Sequence, residues 1–277
     1  MMGSRRIALL AAAIYLFVIF SGRLADRLIL FPSTAPINPG SAIRQSIPFQ
    51  AGELEIWTAA SHRARQNNKI DAYILRFYGN ADRAELWAAL EAETWNDRAV
   101  EVWAVNYPGF GGSSGPARLK QIPSAALAAF DALQSKAGTR PIIVFGTSLG
   151  ATVALHVAAH RAVHGIVLHN PPPLRQIILR HFGWWNLWVL AGPIALQIPR
   201  DLDSVANAKA IHAPAIFLLA DKDEVVAPRF HRLVAEAYAG EKRVISLPGA
   251  YHNDPIEGAA LGDLNRALDW LLTKTKN

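Results

Sequence analysis

From Pro32 onward the chain alternates two patterns of apolar and polar positions. Short β-rich runs recur at 54–59, 72–78, 100–107, 141–146, 165–170, 215–220 and 243–248. Several, such as "PIIVFG" and "AIFLLA", are continuously apolar, as strands covered on both faces must be. Between them lie helix-compatible stretches at 82–93, 124–137, 149–160, 228–238 and 255–273. Strand and helix in repetition predict an α/β fold, a mostly parallel sheet with helices on both faces. The last helix carries a start signal, because Asp254-Pro255-Ile256-Glu257 offers an N-cap, a first-turn proline and a glutamate for a capping box.

Two segments depart from this rhythm. Arg5 and Arg6 precede "IALLAAAIYLFVIF" (7–20), which is apolar and uncharged throughout. No good signal-cleavage site follows, since Arg23 stands where a small residue should precede Ala25. Residues 1–25 are therefore expected to be an uncleaved N-terminal membrane anchor in preference to a removed signal segment, with a buried core helix as a third reading, and 26–277 the globular domain. Arginines on both sides, with Arg23 and Arg27 following, leave open which side of the membrane that domain faces. The second departure is at 171–205, where "PPP" and the proline-interrupted "FGWWNLWVLAGPIAL" predict an insertion over the end of the sheet. Its Trp184, Trp185 and Trp188 suit a lid on an acyl pocket or contact with a bilayer interface.

Composition narrows the chemistry. A 277-residue chain that is 51% hydrophobic can bury one large core, so a single domain is expected. The net charge of +6 is scattered, with no basic block to track phosphates, so nucleic acid is not an expected partner. Cysteine is absent, which removes disulfides, thiol nucleophiles and thiolate metal sites. His156, His160 and His164 recur every four residues, but no carboxylate joins them at usable spacing; they read as an exposed helix face and not a metal site. "GFGGSSG" (109–115) misses the dinucleotide spacing by one residue, and no cofactor is expected.

The remaining signal is "VFGTSLGATVAL" (144–155). Gly146-Thr147-Ser148-Leu149-Gly150 follows a buried strand and opens a helix, the setting in which a serine on a strained turn projects its hydroxyl above a sheet. A serine nucleophile needs a base, and the base an orienting acid. Asp221 and Asp223 follow the strand at 215–220, and His252 follows the next, giving the chain order Ser, Asp, His. Oxyanion donors are expected from the backbone N–H groups of Leu149 and of the "YGNAD" loop, at Asn80.

"FYGNAD", "NYPGFGGSSG", "GTSLG", "DKDEVVAP" and "GAYHND", in that order, resemble the α/β-hydrolase superfamily from about residue 45 to the C-terminus. Within it the chain resembles membrane-anchored serine hydrolases that include eukaryotic protein depalmitoylases and their bacterial relatives. The resemblance implies Ser148, Asp223 and His252 as the triad, and a small-molecule or lipid-like acyl ester or thioester as substrate. Tyr78 and Tyr251 depart from the family pattern, standing where histidine and glycine are common, and both are expected to narrow the acyl pocket. Two other readings stay open: a serine peptidase of related fold, and a catalytically silent hydrolase-like binding protein.

Overall fold

The computed structural model describes residues 3–21, 23–95, 97–186 and 188–274. Its eight strands are β1 (Ile43–Phe49), β2 (Gly52–Ala60), β3 (Ala72–Phe77), β4 (Val100–Val105), β5 (Ile142–Thr147), β6 (Gly165–His169), β7 (Ala215–Ala220) and β8 (Lys242–Leu247). They form one sheet in the order β1-β2-β4-β3-β5-β6-β7-β8. β1 and β2 pair antiparallel, as do β2 and β4, and every other pairing is parallel.

Among the described residues the helices are α1 (Ser4–Ser21), α2 (Leu24–Ile29), α3 (His62–Asn67), α4 (Ala84–Thr94), α5 (Ile122–Ala137), α6 (Leu149–His160), α7 (Leu174–Ile177), α8 (Ala191–Leu196), α9 (Ser204–Ala210), α10 (Pro228–Ala237) and α11 (Gly258–Lys274). Two hydrophobic layers flank the sheet. One gathers Leu133, Leu155, Phe217 and Val234 with the helices of one face, the other Ala88, Trp95, Leu268 and Leu271 with α4 and α11. β3, β6 and β7 are buried at every position, which is why their sequences do not alternate.

Chain order reverses around β3, which has β4 on one side and β5 on the other. Such a switch point opens a crevice at the carboxyl ends of the strands, where ligands settle in open α/β sheets. The "GFGGSSG" loop beside it is closed on itself. The buried Glu55 carboxylate accepts from Gly112 N at 2.8 Å and Asn106 Nδ2 at 2.7 Å, and Gly111 N donates to Ser33 O.

Several expectations need correction. Among the described residues no helix is long and apolar enough to cross a membrane. α1 carries Arg5 and Arg6 in its first turn, and Ile7 to Phe20 spans only about 21 Å at 1.5 Å per residue, against a hydrocarbon core of about 30 Å. The expected membrane helix is thus unsupported. The last helix begins at Gly258, not at Pro255, and Asp254 Oδ2 instead accepts from Tyr251 N at 2.8 Å. β1 was not predicted at all; it is an edge strand containing Pro48, with no buried position. His156 is buried, with its ring 4.3 Å from that of His160, while His164 lies beyond α6 and accepts from Ile142 N.

Candidate active site

β5 delivers its last residue, Thr147, to the crevice, and the chain turns sharply into α6 at Ser148. That residue has φ 53° and ψ −123°, a conformation non-glycine residues rarely adopt. The flanking glycines make the turn possible. A Cβ on Gly146 would overlap the Gly150 carbonyl, and one on Gly150 would overlap the carbonyls of Phe77 and Tyr78 on the neighbouring strand's end. Ser148 N donates to His169 O at 2.8 Å, tying the turn to β6.

His252 sits on the loop after β8, and its imidazole joins two partners. Nε2 lies 3.0 Å from Ser148 Oγ, and Nδ1 lies 2.5 Å from Asp223 Oδ2. A carboxylate facing Nδ1 fixes the proton there, which leaves the Nε2 lone pair to accept from the serine hydroxyl. The main chain of His252 is clamped as well: Asn170 Nδ2 donates to its carbonyl at 3.1 Å, and Glu224 Oε2 accepts its N–H at 3.2 Å.

Asp223 follows β7 by three residues and is buried. Its Oδ1 accepts from Val225 N at 2.9 Å and Val226 N at 2.6 Å. Its Oδ2 faces His252 and also His231 Nε2, at 3.2 Å. Burial raises the carboxyl pKa, but hydrogen bonds from His231, His252 and Val226 N outweigh it and hold the group well below the usual carboxylate range. Asp221 has another place: its Oδ1 accepts from Gly249 N at 2.6 Å at the exposed end of β8.

Three buried groups around this cluster escape a sequence reading. His231, in the first turns of α10, donates through Nε2 to Val226 O as well as facing Asp223, so it adds a second imidazole to the acid. His169, at the end of β6, is pushed down to about 3 by burial and the positive charge of Arg76, and remains neutral. Arg76 lies beneath the serine turn: Nη2 donates to Thr147 Oγ1 at 2.8 Å, Nε to Glu91 Oε2 at 2.8 Å, and the guanidinium lies 4.3 Å from the Tyr78 ring centroid. The only sequence trace of it is one arginine inside the otherwise apolar "AYILRFY".

Above Ser148 opens a cavity of about 540 Å³. Its walls are Ile177, Ile178, Phe182, Trp185 and Ile194 of the insertion, Leu28 and Ile29 of α2, and Asn80, Leu149 and Val226. The expected narrowing by two tyrosines does not occur, because Tyr78 is buried against Arg76 and Tyr251 is exposed, and neither lines the cavity. Asn80 and Leu149 both border the cavity with Ser148. Leu149 N–H belongs to the first turn of α6, where intrahelical acceptors are lacking. The Asn80 side chain is committed elsewhere, donating to Ile29 O at 2.9 Å, and its carbonyl accepts from Phe31 N at 3.1 Å. The segment from α2 to Phe31 is thereby part of the cavity wall; Asp26 Oδ1 also accepts from Leu119 N.

A family model described as the alpha/beta hydrolase fold matches residues 73–200. An uncharacterized protein of Mycobacterium tuberculosis, Rv2307c, is 28% identical over 97% of this chain and 93% of its own length. Human protein ABHD12B is 24% identical over 68% of this chain and 57% of its own. Among solved structures, Est1E from Butyrivibrio proteoclasticus superposes with a TM-score of 0.66 over 84% of this chain and 99% of that one, at 14% identity. The Pyrococcus furiosus esterase Pf2001 gives 0.66 over 87% and 96%, at 16% identity. The family-model match and the structural neighbours agree that the chain has the α/β-hydrolase fold.

Proposed function

We propose that the protein is a serine hydrolase that cleaves a carboxylic ester or thioester with an apolar acyl group, through an acyl-enzyme on Ser148. The observation that carries this reading is the hydrogen-bonded line from Ser148 Oγ through His252 to Asp223, opening on an apolar cavity. The esterase-like structural neighbours support hydrolase activity.

In this mechanism the acyl chain lies among Ile177, Ile178, Phe182 and Ile194, with its carbonyl carbon over Ser148 Oγ. As Oγ attacks, its proton passes to His252 Nε2, and Asp223 stabilises the imidazolium. The N–H groups of Leu149 and Asn80 hold the developing oxyanion, the former with the positive end of the α6 dipole behind it. His252 returns the proton to the departing alcohol or thiol. Water then enters by the same base and releases the carboxylic acid. Substrate, water, Ser148 and His252 supply every atom moved.

An apolar cavity should reward acyl length. Each buried CH2 contributes about 0.8 kcal/mol, or about fourfold in kcat/KM where it is bound in the transition state. A series of p-nitrophenyl esters is expected to rise at about that rate from acetate and to level off once the chain fills the cavity. A flat or falling series would exclude the cavity as an acyl site, and anilides of the same acids show whether the amide bond is also cut.

The wall formed by α2 gives a second expectation. Deleting residues 1–31 removes Leu28, Ile29 and the two hydrogen bonds that fix Asn80. A loss of at least about tenfold in kcat/KM on a short ester is expected, corresponding to about 1.4 kcal/mol. A truncated protein as active as the full chain would show that this segment is no part of the site.

A further inference from the structure

The insertion and the N-terminal helices together present an apolar surface that extends outward from the rim of the acyl cavity. Neither 1–25 nor 171–200 contains an aspartate or glutamate, although the chain has 22. The two segments pack on each other: Gln197 Nε2 donates to Ile19 O at 3.1 Å, and Gln197 Oε1 accepts from Ala25 N at 3.2 Å. Trp184 is 69% exposed, Phe17 71% and Leu28 59%, and Phe182, Trp185 and Trp188 are exposed beside them. Leaving large apolar side chains in water in one place is costly, and patches of this kind mark interaction sites.

Arginines rim the surface. A groove of about 410 Å³ is lined by Arg180, Phe182, Trp184, Trp185 and Arg229. Phe182 and Trp185 are walls of this groove and of the acyl cavity at once. Among the described residues no carboxylate pairs with Arg180 or Arg229. We infer that this face docks on an anionic phospholipid leaflet, lying on it without crossing it, so that the acyl cavity opens at the lipid surface.

The chemistry selects that occupant. Tryptophan rings favour the boundary between headgroups and acyl chains, and unpaired arginines favour anionic headgroups. α1 adds exposed apolar side chains, Leu9 and Phe17 among them, to that boundary contact, with Arg5 and Arg6 in its first turn. A second copy of the chain fits poorly, because two-fold pairing sets the same arginine-rimmed, acid-free patch against itself. The inference goes beyond the proposed hydrolysis and does not require it.

The test uses the full chain, sedimented with vesicles of phosphatidylcholine plus phosphatidylglycerol and with vesicles of phosphatidylcholine alone. Binding is expected to the anionic vesicles, weakening as salt is raised. Each arginine near the surface contributes about fivefold to partitioning, so Arg180→Gln with Arg229→Gln should weaken binding about 25-fold. Trp184→Ser should weaken it further and diminish the blue shift of tryptophan emission on binding. None of the three residues lines the acyl cavity, so thermal melts and any hydrolysis of a short soluble ester should match wild type. Full-length protein that stays in the supernatant with both vesicles, or binds both equally and irrespective of these substitutions, overturns the inference. So does a dimer, seen by light scattering, that buries Trp184 without vesicle binding.

Discussion

Ser148→Ala is expected to abolish fluorophosphonate labelling and to reduce ester turnover by on the order of 10⁶, the scale on which a serine hydrolase loses its nucleophile, while leaving the melting temperature nearly unchanged. The reason lies in how the turn is built. Ser148 is held at φ 53° by the strand before it, the helix after it and its N–H bond to His169 O, none of which involves the hydroxyl. Alanine keeps the same Cβ and meets the same strain, so the folded state loses only the hydrogen bond to His252 Nε2. The reaction loses the atom that forms the acyl-enzyme. Labelling of the alanine variant at the wild-type rate, or a folded wild type that neither labels nor turns over, would exclude the serine mechanism.

What could be read ahead of the structure follows from the range of the forces involved. β3, β6 and β7 are legible because a strand buried on both faces is apolar along nearly its whole length, and the break at Gly146-Thr147-Ser148-Leu149-Gly150 is legible because only glycine fits beside the turn. β1 is not, since "IRQSIPF" lies at the sheet edge with no buried position and pairs with β2 alone. The start of α11 misleads for a local reason: Asp254 has an acceptor suited to a helix cap and spends it on Tyr251 N. Buried polar partners are the least legible. Arg76 with Glu91 and His231 with Asp223 meet only because strands and helices bring them together, and the sequence carries no spacing rule for such pairs. The N-terminal apolar run shows the limit of composition: its hydrophobicity is plain, yet among the described residues no helix is long and apolar enough to cross a membrane.

Asp223→Asn is expected to leave a folded protein with turnover reduced by about 10⁴, the cost of the equivalent change in the well-studied serine proteases, whereas Asp221→Asn should keep its activity and lose about 1 kcal/mol of stability with the bond to Gly249 N. The two aspartates differ in what surrounds them. Asp221 bonds one amide at an exposed turn, while Asp223 is buried with two backbone donors on one oxygen and two imidazoles on the other. An asparagine at 223 can present its NH2 to His252 Nδ1, which forces the proton onto Nε2 and removes the base from Ser148. The same variant carries a pH signature. Burial raises the Asp223 pKa and the hydrogen bonds from His231, His252 and Val226 lower it further than that, so the folded value lies below the unfolded one. The carboxylate therefore stabilises the fold above its unfolded pKa of about 3.9 and loses that contribution as the pH falls through lower values. Wild-type melting temperature should decline as the pH is taken from 5 towards about 3, and the decline should be shallower in Asp223→Asn, which has no such proton to take up. Melts across that range, with turnover of both variants on one short ester at pH 7, decide the matter: an inactive Asp221→Asn beside an active Asp223→Asn, or an unchanged acid slope in the latter, would remove Asp223 from the proposed mechanism.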